Sequence, residues 1–397
     1  FCKNSLELVV LRWIMEKEKD MGLRYLMELG IRPARDKKGM YTQLKKQLGQ
    51  READRLMEQV WQESDVQRLY DVKNESYEKG ITFSGAYDGD IYRKACNWIA
   101  QNQDVFGETI LDVGCDCGIM SCFLAKLLPG SHITAIDRTE NAVKIARQLA
   151  ETLQLHNISF VHADLAALGE QTYDTVFSMR TVHENVANRD IQPSFAPLLE
   201  QAQLYGNTVA DYGQQLAGKV KAGGTLVSIE RGEKNPMFLG WLFDLHENGL
   251  ALHWQRYAEL CCTTVGKQAV LQAVTAVKKD AEADNVYAFW CSLFPVAADS
   301  WLFTGWEGET VLQNLLPQLG AMLSGYQFYT KDGDICGKYA VWKFENRGDA
   351  IVYYQGSTEK TTVGIYAASL LPEIQRQIKQ LCDTCQKQGL VVQKIMD

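Results

Sequence analysis

Apolar residues recur every three or four positions through residues 1–75, as in Leu44 and Leu48, Leu56 and Val60, and Val66 and Leu69, with charges between them. This spacing puts the apolar side chains on one face of a helix and predicts an N-terminal region of several short helices. GITFSGAYDGD at 80–90 breaks the period with three glycines and reads as a loop; YRKACNWIAQNQ at 92–103 resumes it as one more helix. From 109 the texture changes. Apolar runs at 109–113, 132–136, 158–162, 173–178 and 224–229 predict strands, and the segments 118–128, 140–154 and 193–221 carry helical spacing. Strand followed by helix, repeated, predicts a doubly wound, largely parallel α/β sheet covered on both faces.

After the fifth strand, FLGWLFDLHENG (238–249) reads as a helix. LHWQRYAELCCTTV (252–265) and AVLQAVTAVKK (269–279) read as an antiparallel hairpin turning at Gly266. From 281 two helical patterns precede strands rich in Tyr, Val and Trp near 326–330, 336–344 and 350–355, then a helix at 369–388. The expected organisation is therefore a helical N-terminal domain (1–75), an α/β domain (76–280) and a smaller α+β accessory domain (281–397). No internal repeat or low-complexity tract interrupts it.

Composition narrows the function. The 397 residues are 46% apolar, enough for more than one core, and 41 Lys+Arg against 49 Asp+Glu give a net charge of −8. No basic block stands out to neutralise phosphates, so no nucleic-acid partner is expected. LELVVLRWIM (6–15) is too short and too charged to span a bilayer, so no membrane partner is expected either. Eleven cysteines without framework spacing, in a chain with no signal-peptide pattern, predict reduced thiols and a cytoplasmic location.

The chemistry concentrates at ILDVGCDCGIMSCFLAKLLPG (110–130), where a strand turns into a helix through Gly114 and Gly118. Glycines at such a corner let backbone amides approach a ligand. A dinucleotide fingerprint wants a second glycine where Asp116 stands, and a pyrophosphate would meet a carboxylate there. Asp137 ends the next strand 23 residues after Gly114, a spacing suited to a ribose diol. Asp164 ends the third. Each acid has a plainer reading, as a helix cap for Asp137 and a loop-starting acid for Asp164. Cys115, Cys117 and Cys122 lack a paired fourth ligand, and the lone Cys382–Cys385 pair sits at i, i+3 within a helical pattern, so both groups read as packing and no metal is expected.

With these motifs, over roughly 90–280, the sequence resembles the class I S-adenosylmethionine-dependent methyltransferases. The resemblance rests on DVGCDCG (112–118), TAIDRT (134–139), VHADL (161–165) and YDTVFSMRTVHEN (173–185) in order, with KAGGTLVSIERG (221–232) as the fifth strand and the 252–279 hairpin as its antiparallel sixth and seventh. It implies a seven-stranded methyltransferase sheet and S-adenosyl-L-methionine as cofactor. By resemblance, Gly114 and Gly118 shape the turn around the methionine and ribose portion. Asp137 binds the ribose diol, Asp164 the adenine amino group and the Leu165 amide the adenine edge. Asp112, Asp116, Arg138 and Met179 complete the cofactor-binding set. The cofactor is a sulfonium without phosphates, so Asp116 in the turn is compatible with its cationic side.

In this fold the acceptor lies beyond the fourth strand. Ser178, Met179 and Arg180 stand where base-methylating enzymes place D/N-P-P-[YF], which disfavours nucleic-acid bases. His183 and Glu184 are the titratable pair there and are the candidate catalytic residues, with His183 the candidate base; a packed histidine is the competing reading. The expected function is methyl transfer to a small-molecule acceptor. The alternatives are a protein acceptor, or a non-catalytic methyltransferase-like protein that binds a ligand or partner. The N-terminal helices read, by analogy, as a lid or a homodimer contact.

Overall fold

The apolar runs of the central chain form parallel strands, because a strand buried on both faces needs apolar side chains on both. The computed structural model describes residues 20–62, 66–185, 198–231, 236–265, 267–279, 286, 301–304, 306–345, 348–357 and 361–396. Two compact units divide the chain, one taking in residues up to 185 with 211–233 and 245–284, the other 186–210, 234–244 and 285 onward.

In the first unit, β1 (Thr109–Val113), β2 (His132–Asp137), β3 (Ile158–His162), β4 (Tyr173–Met179) and β5 (Val220–Arg231) are parallel. β6 (Leu250–Leu252), β7 (Ala258–Thr264) and β8 (Lys267–Lys278) complete a sheet ordered β3-β2-β1-β4-β5-β8, with β8 antiparallel to β5 and both β6 and β7 on its outer edge. The extended run expected from 252 is interrupted by a 3₁₀ turn at Trp254–Arg256, where Arg256 reaches Asn102 and Asp104. Gly266, expected at the hairpin turn, lies outside the described residues. Strand order reverses between β1 and β4, and a crevice opens at the carboxyl ends of strands at such a point.

Among the described residues, five helices precede this sheet: α1 (Met21–Glu28), α2 (Lys37–Leu48), α3 (Gln50–Gln62), α4 (Val66–Lys73) and α5 (Tyr77–Gln101). Asp20, Asp36 and Ser76 cap α1, α2 and α5 by accepting N–H bonds from Leu23, Gly39 and Lys79. The loop expected at 80–90 is instead the first half of α5. Its glycines are contact points: a Cβ on Gly85 would lie 2.5 Å from Ile31, one on Gly89 2.9 Å from Pro33, and one on Gly80 2.9 Å from Ile145. Gly22 of α1 meets the Arg93 carbonyl of α5 in the same way. Close packing, not a turn, explains the glycines.

α6 (Ile119–Leu127) and α7 (Glu140–Thr152) follow β1 and β2 and bury Phe123, Leu124, Val143 and Leu149 in one core with Ile110, Ile133 and Phe177 of the strands. α8 (Leu198–Lys219) and α9 (Pro236–Glu247) flank β5 in sequence.

The second unit holds an antiparallel sheet ordered β14-β10-β11-β12-β13-β9: β9 (Trp301–Thr304), β10 (Leu319–Tyr329), β11 (Ile335–Phe344), β12 (Ala350–Ser357), β13 (Thr361–Ala367) and β14 (Val391–Met396). α10 (Trp306–Leu315) follows β9, and α11 (Leu371–Lys387) places Ile378 and Cys382 in a core with Phe328, Tyr339, Val341 and Ile351. Cys385 packs against that core, as its helical spacing implies. No described helix is long and apolar enough to cross a membrane.

Candidate active site

The turn after β1 is held to β2 by its own backbone. Gly114 and Cys115 both donate N–H bonds to the Ile136 carbonyl at 2.9 Å, and Gly118 donates to Cys115. Gly114 (φ 77°), Asp116 (φ 45°) and Gly118 (φ 80°) all take left-handed conformations. A Cβ on Gly114 would sit 2.6 Å from Thr181 Cγ2, and one on Gly118 2.7 Å from Ala146 Cβ, so protein contacts as well as backbone angle require both glycines. The turn cysteines Cys115 and Cys117, and Cys122 within α6, are buried; burial pushes the Cys117 thiol up to about 12, so it stays protonated and inert.

Asp137 closes on this turn. Its Oδ2 accepts the Asp116 N–H at 2.9 Å and its Oδ1 the Thr139 N–H at 2.8 Å. Burial, and after it the Asp116 charge, raises its pKa. A carboxylate offers about four acceptor positions, so further donors can be taken.

Lys73, at the end of α4, was not foreseen from sequence. It is 6% exposed, and its Nζ lies 2.5 Å from Asp116 Oδ2. Burial opposes both charges but the pairing wins: the Lys73 pKa is raised above its ordinary value and that of Asp116 is lowered. The other Asp116 oxygen, Oδ1, is buried too, and the Cys117 N–H and the Asn74 side chain help to lower the pKa of this carboxylate.

The remaining predicted cofactor residues divide. Asp112 lies beneath the turn, 2% exposed, accepting a 2.5 Å bond from Ser121 Oγ; burial pushes its carboxyl up to about 7. Asp164 is exposed and accepts the Ala166 N–H at 3.0 Å, capping the 3₁₀ turn Leu165–Ala167, while Leu165 itself is buried. Met179 is half-buried against the core. Arg138 is exposed, and an open depression beside it is lined by Asp71, Arg138, Thr139, Glu140, Asn141 and His162.

Beyond β4, a 3₁₀ turn at Val182–Glu184 carries both candidate catalytic residues. Glu184 accepts from Tyr70 at 3.0 Å and from Arg138 at 3.2 Å, so it joins α4, the end of β2 and the end of β4. His183 is half-buried beside it. The turn rests on Glu230 at the end of β5, 3% exposed, whose carboxyl accepts the N–H groups of Thr181 and Val182, each at 3.2 Å. Ser178 and Thr181 hydroxyls also reach Glu230, and Tyr212 donates to Thr181 at 2.6 Å. Burial pushes Glu230 up to about 7. Arg180, with φ 61°, donates its backbone N–H to Ile229 and pairs with Asp88 of α5 at 2.6 Å. The signal for Glu230 was present in sequence as an acid ending an otherwise apolar strand, TLVSIE; Lys73 and Asp88 left no local signal.

A glycine turn after β1, an acid ending β2 that closes on it, and a polar turn after β4 thus line one carboxyl-terminal edge. Residues 110–200 match the family model described as a methyltransferase domain. The chain carries a methyltransferase domain. The chain is 36% identical across 87 residues to a ubiquinone biosynthesis O-methyltransferase of Aromatoleum aromaticum, covering 21% of this chain and 36% of that one. It is 29% identical across 77 residues to a (S)-tetrahydroprotoberberine N-methyltransferase of Eschscholzia californica, covering 19% and 22%. The chain thus spans well under half the length of these relatives. Among solved structures, magnesium protoporphyrin IX methyltransferase from Synechocystis PCC 6803 is similar at 21% identity and a TM-score of 0.35, over 48% of this chain and 82% of that one.

Proposed function

We propose that the protein transfers a methyl group from S-adenosylmethionine to a small-molecule acceptor bound beyond the carboxyl end of β4. The observation that carries this reading is Asp137 closing on the glycine turn, with acceptor capacity left on its carboxylate. In this reading Asp137 accepts the ribose hydroxyls. Asp116 faces the cationic methionine portion, Arg138 and the depression beside it border the nucleoside, and Asp164 with the Leu165 amide meets adenine.

Bound there, the cofactor supplies an electrophilic methyl group. The chain's own task is to hold the acceptor in line and, for a protic acceptor, to remove its proton. His183 is the base in this reading, and Glu184, fixed by Tyr70 and Arg138, positions the turn that presents it. Calorimetric titration with S-adenosylmethionine and S-adenosylhomocysteine, then transfer of labelled methyl into a small-molecule extract, tests the proposal. Failure of both ligands to bind would overturn it; labelling confined to protein would replace the acceptor class.

A further inference from the structure

The cations at this edge are unevenly matched. Lys73 pairs with Asp116, Arg138 with Glu184 and Arg180 with Asp88. Arg231 ends β5 one residue beyond Glu230, and its side chain reaches solvent and makes no ion pair or hydrogen bond to any described residue. β4 and β5 are adjacent and parallel, with Met179 opposite Ile229, so Arg180 and Arg231 leave neighbouring strands at the same edge. Asp88 pairs with Arg180 and acts on Arg231 only through its charge, and Glu230 beside them is turned inward to the Thr181 and Val182 amides. Arg180 Nε is buried with no hydrogen-bond partner. Crowding by protein atoms, then the Arg180 charge, lowers the Arg231 pKa, with Asp88 only partly offsetting it. Guanidinium does not lose its proton in proteins, so an excess of positive charge here is met by an anion.

The place is next to the glycine turn, since Thr181, the residue after Arg180, is what a Cβ on Gly114 would strike. We propose that Arg231, assisted by Arg180, is the anion-binding end of the acceptor site, so that the methyl acceptor is a small molecule carrying a carboxylate or a phosphate. This rests on the methyl-transfer reading above and adds the acceptor's chemical class. Arg is suited to either oxyanion because its planar fork donates two parallel hydrogen bonds.

The test uses the full chain and two separate readouts. S-adenosylhomocysteine affinity is measured first for wild type and Arg231→Gln. Thermal midpoints are then followed at saturating S-adenosylhomocysteine and constant ionic strength with inorganic phosphate, benzoate or neutral benzamide. The proposal expects phosphate or benzoate to stabilise wild type and benzamide not to, with anion affinity roughly tenfold or more weaker in Arg231→Gln, partly kept in Arg231→Lys, and S-adenosylhomocysteine affinity unchanged. Response to phosphate alone assigns a phosphorylated acceptor, and to benzoate alone a carboxylic acid. Equal anion responses in wild type and Arg231→Gln would overturn it. So would loss of S-adenosylhomocysteine affinity in Arg231→Gln, which would give Arg231 to the cofactor's carboxylate. If S-adenosylhomocysteine does not bind wild type at all, the methyl-transfer reading falls, and the anion titration without it still decides whether Arg231 holds an oxyanion.

Discussion

Lys73 Nζ lies 2.5 Å from Asp116 Oδ2, so the helix before α5 is joined by a buried charge pair to the middle of the glycine turn. The pair explains how an acid stands where the dinucleotide fingerprint has glycine: its charge is answered from inside the protein. Removing one partner should be far worse than removing both. Lys73→Met should cost ~3–5 kcal/mol, and Lys73→Met with Asp116→Asn should recover a large part of it. Urea midpoints of the two single variants and the double variant measure this; additive losses would show that the charges do not depend on each other.

Asp137→Asn keeps one carbonyl acceptor for the turn while removing the charge. It should weaken S-adenosylhomocysteine binding by ~1.5–3 kcal/mol for each charge-assisted bond lost. Asp164→Ala, at an exposed cap, should weaken donor and product equally and by less. Calorimetry on both variants checks this, and unchanged affinity in folded Asp137→Asn would remove it from the ribose role.

His183→Gln should lower turnover ~10²–10⁴-fold with donor affinity retained, if the acceptor is protic. Wild-type rate should then rise with pH through the histidine range. A flat profile, or a His183→Gln rate near wild type, would leave proximity alone as the catalytic effect.

Glu230 and Asp112 are each pushed up to about 7, above the ~4 of an unfolded carboxyl. Between those values the folded chain keeps protons that the unfolded chain releases. Their contribution to stability is therefore complete below about pH 4 and lost as pH rises towards about 7. Glu230→Gln cannot ionise, so relative to wild type it should be ~1–3 kcal/mol more favourable at pH 8 than at pH 4. Denaturation curves at the two pH values decide; a pH-independent difference would place the charge elsewhere.

Gly85→Ala adds helix propensity of up to ~1 kcal/mol. It also drives a methyl to 2.5 Å from Ile31. The clash should win, with a net loss of ~1–2 kcal/mol. Ile31→Val in the same chain should return part of it, measured by thermal midpoint. A gain in stability on Gly85→Ala alone would mean that Ile31 moves aside freely.

β1 and β4 were legible because a doubly buried parallel strand is a continuous apolar run, and each run from 109 to 179, the edge strand β3 included, is bounded by polar or glycine residues. Gly114, Gly118, Asp116 and Asp137 were legible as a group because the turn and the next strand end lie within 24 residues. α5 was misread since a glycine that breaks a helix and one that lets another chain segment touch it look alike in a single sequence. β9, β13 and β14 were missed: β14 pairs with β10, more than sixty residues earlier, and such pairing leaves no local mark. The partners of Asp116 and Arg180 are of the same kind, contributed by α4 and α5 from across the fold.

The glycines of α5 also bear on the order in which the chain is made. Three glycines within ten residues weaken an isolated helix by roughly 2–3 kcal/mol, so α5 gains its stability from what lies against it. Two of the three lie against Ile31 and Pro33, which leave the ribosome before α5 does, whereas Ile145 of α7 emerges much later. A nascent chain thus has a surface ready to receive the helix before the sheet exists, and a chain shortened past residue 34 would have to form α5 without it.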